Sequence, residues 1–274
     1  LYKKKSLQNK VKKYEFNTSW YKKLNAYCKA KKIDIFASTF GKESTNFLIK
    51  YNPPYIKWAS SELTKLSNLY QAASFKIPMI LSTGMADLAE VCEAVEVCKA
   101  AGNDKIILMH CVSSYPTKLE DINLNRINML KRIYKDLPIG LSDHTNDIIS
   151  AIASIPIGVV AIEKHFKLDN KTNTPDSLFS ITPDKLKTLK IVSKDIHKSF
   201  NKKNTKIEKI SKNLRRSIFA KKNIEKNQKL TTENIETLRP SIGICASKYF
   251  EILNKKTKVK IKSGAPIFKN MIKN

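Results

Sequence analysis

The sequence predicts an α/β protein: a barrel of alternating parallel strands and helices, followed by a small β-rich unit. Three observations predict it. Short β-branched runs alternate with longer amphipathic stretches, polar residues gather immediately after each run, and the composition turns to lysine and asparagine near residue 201.

The runs are Ile33 to Ala37, Tyr55 to Trp58, Met79 to Leu81, Ile106 to His110, Ile139 to Leu141 and Val159 to Glu163. They recur about every 20 to 30 residues, the spacing of βα units in a parallel sheet. Between them lie helical patterns: Trp20, Leu24, Tyr27 and Cys28 share a face, and Leu88 to Ala101 runs up to Gly102, a helix stop signal. The strands are followed by Ser38-Thr39, Ser60-Ser61-Glu62, Ser82-Thr83-Gly84, His110-Cys111-Val112-Ser113, Ser142-Asp143-His144 and Lys164-His165. A TIM (β/α)8 barrel builds its active site at the carboxyl ends of all its strands, so this distribution favours a closed barrel over an open sheet. Six strands are two short of that barrel, and the gap would leave two unpaired edges. The first two strands are therefore expected upstream of Leu1. The expected organisation is a barrel over residues 1–200, a linker over 201–214 and a second unit over 215–274. In the second unit Ser217 to Ala220 and Val259 to Ile261 read as strands, and Ser247 to Leu253 as a short helix. A unit of roughly 60 residues has a small core, so docking against another surface is expected.

Composition narrows the function classes. The net charge of +27 invites a nucleic-acid reading, but arginine supplies only five of the 51 basic residues and lysine is scattered through every segment. Bidentate recognition of bases and phosphates relies on arginine, and no aromatic-interleaved basic motif occurs, so solvated lysine faces are expected and no nucleic-acid partner. The longest apolar stretch, Ile148 to Ile162, is interrupted by Ser150, Ser154, Pro156 and Gly158, which argues against a membrane span of about 18 apolar residues. Leu1 to Lys13 lacks the apolar core of a signal peptide. Five cysteines without a CxxC pair fit a reducing cytoplasm.

The sharpest chemical signal is His144 and His165, two of only four histidines, placed at the ends of neighbouring strands. Both imidazoles can face one point, which suits a divalent metal: Mn²⁺, with Mg²⁺ as the alternative, and water and substrate oxygens completing the coordination. His197 reads as a surface residue and His110 as either core or a support of the site. Lys57, Ser60 and Glu62 form a second set. A cation and a carboxylate there could bind an anion and relay a proton, and a simple ion pair at a strand end is the equal alternative. Hydroxyls of Ser38, Thr39, Ser82, Thr83, Ser113 and Ser142 suit phosphate oxygens. No Walker or GxGxxG loop occurs, so no nucleotide cofactor is expected.

In order along the chain, Ser38-Thr39-Phe40, Lys57-Trp58-Ala59-Ser60-Ser61-Glu62, Ile80-Leu81-Ser82-Thr83-Gly84-Met85, His110 to Pro116, Gly140 to Thr145, Glu163-Lys164-His165-Phe166 and Pro175-Asp176 resemble the N-acetylneuraminate synthase family, which includes legionaminic and pseudaminic acid synthases. Arg215-Arg216-Ser217 through Asn234-Ile235, with Arg239-Pro240 and Gly243-Ile244, resembles that family's C-terminal antifreeze-like (SAF) domain. The resemblance implies condensation of phosphoenolpyruvate with an N-acetylated amino-sugar aldehyde, N-acetylmannosamine or a relative, giving a nonulosonic acid and phosphate. It implies metal binding by His144 and His165, and phosphoenolpyruvate binding by Thr39, Lys57, Ser60, Ser113 and Ser142. It also implies proton or water handling at Glu62, with Glu163 lining the same site, and sugar contacts at Tyr115 and Asp176. Arg239 corresponds to an arginine offered to a partner's site, which implies a domain-crossed homodimer. The family's first two strands, with an active-site glutamate, lysine and glutamine, have no counterpart here, so the chain by itself is expected to be inactive. A truncated protein that binds sugar or a partner without turnover is the alternative of another class.

Overall fold

The computed structural model describes residues 16–171, 173–200 and 210–273. The chain divides into two compact units, Leu1–Phe200 and Asn201–Asn274.

The first unit is built on strands β1 (Ser38–Thr39), β2 (Ile56–Trp58), β3 (Met79–Ser82), β4 (Ile106–Cys111), β5 (Ile139–Asp143) and β6 (Ile162–Lys164), paired in parallel in sequential order. They form one curled sheet, a half-barrel. Helices α1 (Ser19–Ala30), α2 (Lys42–Ile49), α3 (Leu66–Ser74), α4 (Leu88–Ala100), α5 (Asn125–Ile133), α6 (Ile149–Ile157) and α7 (Pro183–Phe200) alternate with the strands. The start of α4 shows how sequence sets a boundary: Asp87 and Glu90 form a reciprocal capping box that satisfies two otherwise free backbone donors.

Each strand sorts its side chains by alternation. Ile56, Trp58, Met79, Leu81, Ile106, Leu108, Ile139 and Leu141 are buried in the main core on the helix side. Lys57, Ser82, Cys111, Ser142 and Glu163 lie between them in sequence, on the opposite, inner face, where they meet one another. Two glycines let that face close. A Cβ on Gly140 would collide with Met109 Sδ and lie 2.9 Å from the Ala161 carbonyl, and one on Gly84 would come within 2.6 Å of Ser113 Oγ and 2.9 Å of Cys111 Sγ.

Two strands differ from the sequence reading. Ile33 to Ala37 is not a strand; pairing with β2 begins only at Ser38↔Lys57, and Ile33 is 62% exposed, without a core to pack on. The last strand starts at Ile162 rather than Val159, because α6 ends at left-handed Gly158 and the ladder to β5 begins at Leu141↔Ile162. Ser82, Cys111, Ser142, Asp143 and Lys164, expected just after strands, are their last paired residues.

The second unit has its own core of Ile218, Ala220, Ile224, Leu230, Ile235, Ile244, Ile252, Ile261, Ile267 and Ile272. Ser217–Ala220 is the expected strand, β7, and it pairs antiparallel with β8 (Ile235–Leu238), which was not expected. Val259 to Ile261 is not a strand; Ile261 makes an isolated bridge to Ile224. The expected helix at 247–253 splits into a 3₁₀ turn (Ala246–Lys248) and the one-turn helix α8 (Tyr249–Ile252). Of the expected linker, residues 201–209 lie outside those described, and Lys212–Leu214 is a 3₁₀ turn.

Candidate active site

The inner-face residues converge at the carboxyl ends of β2 to β6. Lys57 Nζ donates to Ser82 Oγ at 2.7 Å and lies 3.2 Å from Glu163 Oε2. Ser142 Oγ donates to the other oxygen of Glu163 at 3.0 Å, across the register pair Ser142↔Glu163. One ammonium and one carboxylate are thus held together by hydroxyls from two further strands. Ser60 Oγ accepts the Gly84 amide at 3.1 Å and, with Ser142, hydrogen-bonds Cys111, whose thiol is pushed up by burial against those bonds and the nearby Lys57. Ser113, its buried hydroxyl unpartnered, continues the wall beside Tyr115, whose hydroxyl is likewise raised by burial.

The histidines form the adjacent part. Their rings lie 5.2 Å apart, centroid to centroid. His144 Nδ1 is 3.0 Å from the Val112 carbonyl and 3.8 Å from Cys111 Sγ, while His165 Nδ1 is 3.0 Å from Asp176 Oδ2. The carbonyl fixes the His144 tautomer with its proton on Nδ1, which leaves Nε2 as the ligand-binding nitrogen; the carboxylate orients His165 in the same sense. Burial lowers the His144 pKa, against the opposing effect of the Val112 hydrogen bond, and so favours the neutral ring, the form that ligates a metal. Tyr115 and Phe179 pack on both rings, at centroid distances of 4.3 and 6.4 Å for Tyr115 and 6.1 and 4.7 Å for Phe179.

No group of three or more histidine, cysteine or acidic residues is placed to hold a metal among the described residues. The donor set is two imidazoles, each oriented through its other nitrogen, and it fits an open site in which water and substrate oxygens complete the shell.

The remaining candidates are placed differently. Glu62 is buried, but its carboxylate pairs with Lys65 at 2.6 Å, and the partner of Lys57 is Glu163. Thr39 is buried with an unpartnered hydroxyl and, with Asp176, lines a cavity of about 1030 Å³ beside β1 that is otherwise largely apolar. Asp176 joins that cavity to the Lys57 to His165 cluster through His165. Arg239 belongs to the second unit, exposed just after β8. His110 points to the helix side and contacts the Ile122 carbonyl at 2.7 Å, which makes it a core residue; His197 is exposed on α7. Cys111 and Phe179 were not expected. Cys111 had a signal, two residues after Met109 on the same face, whereas nothing in the pattern marked Phe179.

Comparison with known proteins gives this site its setting. Residues 2–205 match the NeuB family and residues 215–273 the SAF domain, so the chain belongs to the NeuB family and carries a SAF domain. It is 37% identical to the N,N'-diacetyllegionaminic acid synthase of Campylobacter jejuni over 89% of this chain and 75% of that protein. It is 33% identical to the pseudaminic acid synthase of Helicobacter pylori over 97% of this chain and 79% of that protein. Among solved structures it resembles the N-acetylneuraminic acid synthetase of Leptospira borgpetersenii, crystallised with citrate, with a TM-score of 0.71 and 31% identity over 77% of this chain and 75% of that one. These three relatives are nonulosonic acid synthases. No helix among the described residues is long and apolar enough to cross a membrane.

Proposed function

We propose that the protein is a nonulosonic acid synthase that condenses phosphoenolpyruvate with an N-acetylated amino-sugar aldehyde. The observation that carries this reading is the joined cluster itself: a Lys57–Glu163 pair framed by Ser82 and Ser142, beside two oriented imidazoles, at one end of a parallel sheet. Lys57 and the hydroxyls of Ser60, Ser82, Ser113 and Ser142 offer one cation and several donors to the phosphate and carboxylate of phosphoenolpyruvate. Thr39, with its unpartnered hydroxyl, is a further donor.

A bond forms between C3 of phosphoenolpyruvate and the aldehyde carbon, water adds at C2, and the C2–O bond breaks to release phosphate. Glu163, held by Lys57 and Ser142, and Glu62 are the carboxylates for the proton and water transfers. His144 and His165 would hold a divalent cation, Mn²⁺ before Mg²⁺, which supplies Lewis-acid polarisation of the aldehyde oxygen. Tyr115 and Asp176 flank the imidazoles where the sugar would lie. Arg239, by the same family likeness, serves the site of a second copy, in a domain-crossed homodimer working in the cytoplasm.

The test is phosphate release from phosphoenolpyruvate by the protein expressed from its whole reading frame, with Mn²⁺ and a panel of N-acetylmannosamine and 6-deoxy diacetamido sugars. Phosphate release with one class of sugar identifies the product. Absence of release with every sugar overturns the proposal.

A further inference from the structure

Strands β5 and β6 end in register steps that alternate in direction. Ser142 pairs with Glu163 and Asp143 with Lys164, and His144 and His165 come next, just past each strand's end. Ser142 and Glu163 meet on the inner face. Asp143 and Lys164 turn to the other face, where their side chains are 0% and 3% exposed.

There they make more than an ion pair. Lys164 Nζ lies 3.2 Å from Asp143 Oδ2 and donates to the Thr145 carbonyl at 2.6 Å. Asp143 Oδ1 accepts the Thr145 amide at 2.8 Å, closing a turn over His144, and its Oδ2 accepts Ser150 Oγ at 2.8 Å. The residue before His165 therefore grips both residues that flank His144. The ladder alone is a weak clamp here, because β6 has three residues and is the last strand in the sheet order among the described residues.

Resting on the reading of the two histidines as metal-binding, we infer that the buried Asp143–Lys164 pair is a positioning device that sets the spacing and aim of His144 and His165. It touches neither metal nor substrate. Its effect is to make the two imidazoles one rigid unit, although they come from different strands. Stability alone does not account for a charged pair at this place, since neutral groups of similar volume commonly replace buried ion pairs without loss.

That difference supplies the test. In the Asp143→Asn/Lys164→Met double variant the asparagine oxygen still accepts the Thr145 amide and the methionine fills the lysine's volume. The double variant is expected to melt near the wild-type temperature, yet to bind Mn²⁺ about 10- to 100-fold more weakly, the loss typical when groups that orient metal ligands are removed. In its crystal structure the His144 and His165 rings should depart from their 5.2 Å separation. A folded double variant with wild-type Mn²⁺ affinity and unchanged ring separation overturns the inference. Should the double variant fail to fold, Asp143→Asn/Lys164→Gln, which is also neutral and whose glutamine can still donate to the Thr145 carbonyl, carries the same expectation and the same refutation. Should the wild type bind no Mn²⁺, the metal reading fails by itself, and the ring separation in the variants still decides whether the pair positions the histidines.

Discussion

The two faces of the half-barrel sheet are made from the same strands and obey opposite rules. On the outer face Trp58, Leu81, Leu108 and Leu141 are fully buried in the main core, so each contributes to holding the chain together. On the inner face Lys57, Ser82, Ser142 and Glu163 satisfy one another's charges and lone pairs at the strand ends. Moving one residue along a strand moves from stability to chemistry. Away from the Asp143–Lys164 pair, the faces should therefore separate cleanly under mutation.

The largest effect is expected from His144→Ala or His165→Ala. Each should lower phosphate release by about 10³-fold, the scale of losing a preorganised electrostatic group, with the melting temperature nearly unchanged. Equal metal content in both variants and the wild type would return the pair to a structural role. On the outer face Leu108→Ala should do the reverse, costing about 2–5 kcal/mol in chemical denaturation while the turnover of the folded fraction stays the same. A large drop in that turnover would show that the faces are coupled. Gly140→Ala tests the boundary between them: the added methyl meets Met109 and the Ala161 carbonyl and should cost about 1–3 kcal/mol, part of which Met109→Ala should restore.

The smallest effect is a pH dependence from the outer face. Burial lowers the pKa of His110, so the folded state binds fewer protons than the unfolded chain. Stability is therefore unaffected above the unfolded value of about 6.5 and falls as the pH drops below it. Denaturation at pH 7.5 and 5.5 should show that loss in the wild type and a smaller one in His110→Gln.

This division explains what was legible in the sequence. Alternation within a strand is local, so β2 to β5 and the inward set from Lys57 to His165 could be read from period and from the polar residues that end each run. The errors fell where local pattern is weak. Ile33 to Ala37 has the composition of a strand, but pairing partners decide, and the ladder reaches only Ser38 and Thr39. The β8 sequence Ile235–Leu238 mixes glutamate and threonine with its apolar residues and carries no clear period. Pairings across strands were hidden for the same reason. Nothing local says that Lys57 finds Glu163 rather than Glu62, or that Lys164 reaches back to Asp143; those partners follow from register, which the fold alone establishes.

The connection after β6 leaves the sheet and comes back to it. Ile181 returns beside the strand end, its amide donating to the His165 carbonyl at 2.8 Å and its carbonyl accepting the Lys167 amide at 3.0 Å, with Phe166 and Ile181 bridged in parallel. An excursion tied at its base can change length cheaply, since doubling a loop costs only about 0.6 kcal/mol in closure entropy. Insertions and deletions ahead of Asp176 leave His165 where it is, because Asp176 and Phe179, near the returning end, hold its ring. Evolution can therefore rewrite the part of this excursion ahead of Asp176 as a replaceable cassette, whereas the tight turn over His144 offers it no such latitude.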